Sequence, residues 1–136
     1  MAQTCVVIVD DDPLDRKFII DSFRRTSANI QLIEVGDPRD ALSSMATYVP
    51  DLALLDIDMP HMTGFDVLRA FRADIDAVDP APSPPIVMLS NSKVESEIKK
   101  SLELGAAEYR VKPSTIDEYR RLAADLHQTY LPQKAA

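Results

Sequence analysis

Apolar positions in this chain come in blocks of two kinds, and the two kinds alternate. The stretch "CVVIVD" is an unbroken β-branched run ending in acid, the pattern of a strand buried on both faces. After Pro13 the spacing turns helical, with Leu14, Phe18, Ile19 and Phe23 predicting the core face of a first helix. "IQLIEV" is a second strand, and "GDPRDALSSMA" opens a second helix with Asp37 as N-cap and Pro38 at the first helical position. "DLALLDID" is a third strand, "GFDVLRAFRADI" a third helix and "PPIVMLS" a fourth strand. "ESEIKKSLELG" is a helix closed by Gly105, and "AEYRVK" a short fifth strand. Ser114 and Asp117 form a capping-box-like start to a last helix, whose core face is Tyr119, Leu122 and Leu126. Tyr130 continues the same helical spacing, and for Tyr130 and Leu131 an interface role at the helix end is the lesser alternative.

Strand–helix alternation repeated five times predicts an α/β fold, a doubly wound parallel sheet covered on both faces through right-handed crossovers. The proline-rich "DAVDPAPSPP" is too short for an interdomain linker and reads as a surface loop before the fourth strand. With 136 residues the expectation is one domain, 1–136, its core about 4–130, with no output domain.

Composition narrows the classes of function. The net charge of −7 argues against a nucleic-acid partner, whose phosphates would repel it. The single cysteine, Cys5, cannot form an intramolecular disulfide and falls in an apolar run, as expected of a buried, inert thiol in a reducing compartment. No apolar stretch is long enough to span a bilayer and no secretory signal pattern opens the chain, so no membrane insertion is expected and the cytoplasm is the expected location.

The unusual polar residues collect where the strands end. Asp10, Asp11 and Asp12 follow the first strand, Asp56 and Asp58 the third, Ser90 and Asn91 the fourth, and Lys112 the fifth. In open parallel sheets the carboxyl ends of the strands are where ligands bind. Carboxylates gathered there repel one another and call for a small hard divalent cation with oxygen ligands, for which Mg²⁺ is the natural choice. Lys112 adds a point charge for phosphate oxygens and Ser90 a hydroxyl donor. A carboxylate nucleophile with these neighbours is a site for phosphoryl transfer.

Two families combine such parts. "DID" and "LSN" resemble haloacid-dehalogenase-type phosphatases, but those carry their acidic metal-binding pair after the lysine, whereas "DDD" precedes it here. Over roughly residues 4–130 the chain resembles a stand-alone response regulator receiver domain, on motifs in order: "VVIVDDDPLDR", "PDLALLDIDMPHMTGFDVL", "IVMLSNS", and Lys112 with Pro113 in "GAAEYRVKPST".

The receiver resemblance implies a flavodoxin-like strand order of 2-1-3-4-5. It implies Asp56 as phosphoacceptor from a sensor histidine kinase or phosphotransfer protein, with Pro60 and Gly64 supporting the following loop. Mg²⁺ would be held by Asp11, Asp56 and the backbone carbonyl at Asp58, with Asp10 acting at one remove through water. Ser90 and Lys112 would be drawn to the phosphoryl group, and Tyr109 would be an aromatic switch responding to Ser90. The chain would be a switch that catalyses its own modification rather than a conventional enzyme. The Lys112–Pro113 bond is expected to be cis. Asp58 is read as a modulator of both phosphorylation and dephosphorylation rates, not as the nucleophile. A phosphorylation-dependent homodimer would use the fourth helix, fifth strand and fifth helix, with Lys99, Lys100, Arg110, Asp117, Arg120 and Arg121 pairing across a two-fold axis. The proline-rich loop and the tail "HQTYLPQKAA" resemble stand-alone regulators paired with phytochrome-type kinases. His61 and His127 lack ligand-spaced partners and are read as surface or packing residues.

Overall fold

The computed structural model describes residues 3–75 and 84–131; the proline-rich loop expected before the fourth strand and the end of the tail lie outside these. Five strands, β1 (Thr4–Val9), β2 (Ile30–Val35), β3 (Leu52–Asp56), β4 (Ile86–Ser90) and β5 (Glu108–Val111), form one sheet. All neighbours are parallel and the order is β2-β1-β3-β4-β5, as expected. The helices are α1 (Pro13–Thr26), α2 (Ala41–Tyr48), α3 (Gly64–Ile75), α4 (Glu95–Glu103) and α5 (Ile116–Tyr130).

Because consecutive strand residues point to opposite faces, the two faces bury separate side-chain sets. Val6, Ile8, Leu52, Leu54, Val87 and Leu89 pack with Ile19 and Phe23 of α1 and with Tyr119, Leu122 and Leu126 of α5. Val7, Val9, Ala53, Leu55, Ile86 and Met88 face α2 and α3, where Met45, Phe65, Leu68 and Phe71 cover them. Burying a side chain such as Phe23 or Leu68 contributes about 1.5–3 kcal/mol each.

Local signals account for most boundaries. Asp12 caps α1 by accepting from the Leu14 backbone N–H at 2.9 Å, with Pro13 at the first position. Asp37 caps as expected, but Pro38–Asp40 form a 3₁₀ turn before α2 begins. Gly105 takes φ +99° after α4, the left-handed conformation that a glycine tolerates.

Three expectations are corrected, and the alternative for Tyr130 and Leu131 is decided. The capping box of α5 lies one residue later: Thr115 accepts from Glu118 N, while Glu118 reaches back to Ser114 N. Glu118 supplies a longer acidic arm than Asp117, and so selects that register. Leu14 is 56% exposed rather than in the core, because it sits on the first turn of α1, beyond the edge of the sheet. Leu131 is 3% exposed and belongs to the α1–α5 core, while Tyr130 is half-buried, its hydroxyl bonded to Glu108; neither protrudes. The Lys112–Pro113 bond is trans, and Lys112 still reaches Asp56 because the β4–β5 pairing, continued by Lys112 N to Ser90 O at 2.7 Å, carries the residue to the site.

Candidate functional site

The site lies where β1, β3 and β5 end. Asp10 follows β1, Asp56 closes β3, and Lys112 follows β5. Oxygens of Asp10, Asp11 and Asp56 lie within 4.8 Å of one another, with Asp10 and Asp56 buried and Asp11 exposed. Backbone amides fix two of them: Asp12 N donates to Asp10 Oδ1 at 2.9 Å and Asp58 N to Asp56 Oδ1 at 3.2 Å. Asp58 therefore meets the site through its main chain, and its side chain is exposed.

The loop after β3 is shaped by close approach. A Cβ on Gly64 would fall 2.5 Å from Asp56 O and 3.0 Å from the Ile57 Cα, so only glycine lets α3 start against the end of β3. His61 turns the loop at φ 71°.

Lys112 Nζ lies 2.9 Å from Asp10 Oδ2, 2.9 Å from Asp15 Oδ2 and 3.4 Å from Asp56 Oδ2, with its side chain 5% exposed. Burial pulls the ammonium toward neutrality, but the hydrogen bonds and charges of Asp15, Asp10 and Asp56 outweigh it and hold Lys112 above its ordinary range. Burial pushes the Asp56 carboxyl up to about 7, with the charge of Asp10 adding to it and Lys112 opposing. Burial raises Asp10 as well, against the pull of Lys112 and the Asp12 amide. Both shifts have the sign that burial gives a carboxylate.

The charge balance bears on a metal. Asp10 and Asp56 share the Lys112 ammonium with Asp15, Asp11 converges on the same point without an ion pair to it, and buried Asp10 Oδ2 is met only by the ion pair with Lys112. An all-oxygen donor set with surplus negative charge fits a hard divalent cation.

The remaining expected residues are brought near but occupied elsewhere. Ser90 is fully buried, and its hydroxyl accepts from Ser92 N at 3.2 Å. Ser92 in turn donates to Glu97 at 2.9 Å. Tyr109 packs on the α2–α3 core, and its hydroxyl donates to Ser92 O at 2.5 Å, tying β5 to the β4–α4 loop. His127 packs against α1, Nδ1 lying 2.6 Å from Thr26 Oγ1.

Several site residues escaped the sequence reading. Asp15 holds Lys112 and accepts from Tyr119 OH at 3.3 Å. Arg16 donates to the Asp10 carbonyl at 2.5 Å and to Glu34 at 3.1 Å, lying against Gly36 and bracing the end of β1. The available signal was position: both lie on the first turn of the helix that follows "DDD", directly above the strand end.

The chain matches the family model of the response regulator receiver domain over residues 6–124. It is 30% identical over 116 residues to the transcriptional regulatory protein KdpE of Mycobacterium tuberculosis, covering 85% of this chain and 47% of that protein. With the DNA-binding response regulator MtrA of Mycolicibacterium smegmatis it shares 35% identity over 108 residues, 79% of this chain and 43% of the relative. The chain thus spans about half the length of these curated relatives. Among solved structures, the signal receiver domain of NarL from Mycobacterium tuberculosis superposes with a TM-score of 0.76 at 27% identity, covering 95% of this chain and 99% of that one. The phosphorylated cyanobacterial phytochrome response regulator RcpA shares the fold, with a TM-score of 0.83 at 23% identity over 98% of each chain. The order of motifs, the sheet and the carboxylate–lysine centre agree with these matches rather than with a phosphatase, and the chain belongs to the response regulator receiver family, whose general function is phosphorylation-dependent signalling.

Proposed function

We propose that Asp56 is the phosphoacceptor, taking a phosphoryl group from the phosphohistidine of a sensor histidine kinase or phosphotransfer protein. The observation that carries this reading is the pairing of buried Asp56 with the Lys112 ammonium, 3.4 Å apart, beside the convergent oxygens of Asp10 and Asp11. Asp11, Asp56 and the Asp58 carbonyl would hold Mg²⁺, with Asp10 behind them; when bound, the ion neutralises charge on the phosphoryl oxygens. The Asp56 carboxylate attacks phosphorus, forming an O–P bond as the P–N bond breaks. The electron pair returns to the imidazole, which leaves neutral when its other nitrogen carries a proton. Lys112 offers protons to the transferred group, and the buried strand ends hold the reactants in line.

Ser90 and Tyr109 form the readout. For Ser90 to reach the phosphoryl group it must release Ser92, to which Tyr109 is also bound, so one displacement loosens both contacts of the β4–α4 loop. The surface of α4, β5 and α5 would then present itself to a partner or a second copy. Arg110 there is already engaged by Glu108 and Asp125, so a homodimer would have to exchange internal pairs for intermolecular ones and would be salt-sensitive.

Acetyl phosphate with Mg²⁺ is expected to label Asp56 alone, read by intact mass and peptide mapping, and Asp56→Asn to take no label. Labelling of Asp56→Asn at another carboxylate at the wild-type rate overturns the assignment. Asp58→Asn is expected to change both labelling and loss of label without abolishing either.

A further inference from the structure

We propose that Asp15 is a positioning residue that competes with the Asp56 centre for the Lys112 ammonium and so restrains phosphorylation. The proposal rests on Asp56 being the acceptor.

Lys112 has three protons to give and no water to give them to, since its side chain is 5% exposed. Its hydrogen bond runs to Asp15 Oδ2 at 2.9 Å, across from the opposite end of the chain, while the contact to Asp56 is the longest of its three at 3.4 Å. Asp15 is outside the cluster of carboxylates able to share a metal, which consists of Asp10, Asp11 and Asp56. Nor is it needed to start the helix, because Asp12 already caps α1. Its place is secured independently of the lysine: it sits on the first turn of α1, where the helix dipole favours an anion, and its other oxygen accepts from Tyr119 OH at 3.3 Å. A carboxylate so held draws the ammonium sideways from the acceptor.

A phosphoryl group on Asp56 brings new oxygens that need the lysine's protons. The four-carbon stem can swing to meet them, but the hydrogen bond that Lys112 donates to Asp15 must be released first. Phosphorylation then leaves Asp15 with Tyr119 as its remaining partner. Removing the Asp15 charge frees Lys112 in advance.

The test is the rate of Asp56 labelling against acetyl phosphate concentration at saturating Mg²⁺. Asp15→Asn is expected to raise the maximal rate about 2- to 5-fold at full stoichiometry, the equivalent of one modest ion pair. Asp15→Ser, which also suits a first helical turn, is expected to act in the same direction and serves if Asp15→Asn does not fold. A folded variant whose maximal rate is unchanged or lower overturns the proposal. So does a fall in half-saturating donor concentration alone, which marks a general charge effect on donor binding. Structural damage would reduce the labelled fraction and could not raise the maximal rate. Absence of label at Asp56 in the wild type is a separate result, overturning the acceptor reading and this proposal together.

Discussion

The two faces of the sheet are built to different standards. On one, α1 and α5 run 14 and 15 residues and each is started by a side-chain cap, Asp12 or Thr115. Phe18 stacks on Tyr119 with centroids 5.4 Å apart, and Phe23 and Leu126 are fully buried. On the other, α2 and α4 have 8 and 9 residues, and neither has a side-chain cap at its start. Val49 ends α2 at φ 45°, a left-handed conformation that a β-branched residue adopts with strain. The core there draws on Met45, Met59 and Met88 and on Ala41, Ala53 and Ala106, and α4 buries Ser101 while leaving Val94 and Leu102 half exposed. Between them α3 is the exception, 12 residues long and capped by Thr63, so low local stability is expected of α2 and α4 rather than of the whole face. Both proposed readout residues border this second face, Ser90 through Ser92 and Tyr109 directly. On this contrast the α1–α5 side is expected to serve as scaffold and the α4 side to move.

The largest effect should separate the faces by stability. Phe23→Ala is expected to cost about 3–5 kcal/mol in urea unfolding, by lost burial plus an unfilled cavity. Met45→Leu, a volume-conserving change on the other face, should cost less than about 1.5 kcal/mol. Equal losses would remove the contrast.

Next comes movement. With Mg²⁺ and acetyl phosphate, amide exchange over residues 91–111 is expected to change on the order of tenfold, while residues 18–26 of α1 hold steady. Chelating the metal should abolish the difference. A change spread evenly over both segments would make the whole domain, rather than α4, the moving part.

Capping tests whether the weak start of α4 matters. Val94, 48% exposed, occupies the N-cap without a side-chain bond, so Val94→Ser is expected to stabilise the protein by about 0.5–2 kcal/mol. It should also shrink the exchange response of α4. Thr115→Ala on the scaffold side should cost a similar amount and leave that response intact.

The smallest effect concerns pH. Burial raises the Tyr130 phenol from 10.0 to about 12, helped by its hydrogen bond to Glu108. A raised folded value means that stability is fully present below pH 10 and is lost as pH rises through about 12. Tyr130→Phe should flatten that decline, measured as urea midpoints across the range, without altering the α4 response.

Much of this was legible along the chain because strand burial and helix amphipathicity are local periodicities. The runs around Cys5–Asp10, Leu52–Asp56 and Ile86–Ser90 had to be internal strands, and such strands deliver Asp10, Asp56 and Ser90 to one edge whatever the helices do, while Lys112 arrives there from the edge strand β5. What the pattern could not decide is which polar group each side chain chooses. Ser90 bonds to Ser92 rather than turning to Asp56, a matter of rotamer within a buried loop. Leu131 looked like a terminal residue free to protrude, yet packing against α1 buries it. Lys112 takes Asp15, 97 positions away, and Tyr119 reaches that same carboxylate across 104. No period in the sequence spans such distances. Those contacts exist because α5, which follows β5, packs along α1, and because a buried ammonium must find its partners among whatever carboxylates that packing leaves within reach.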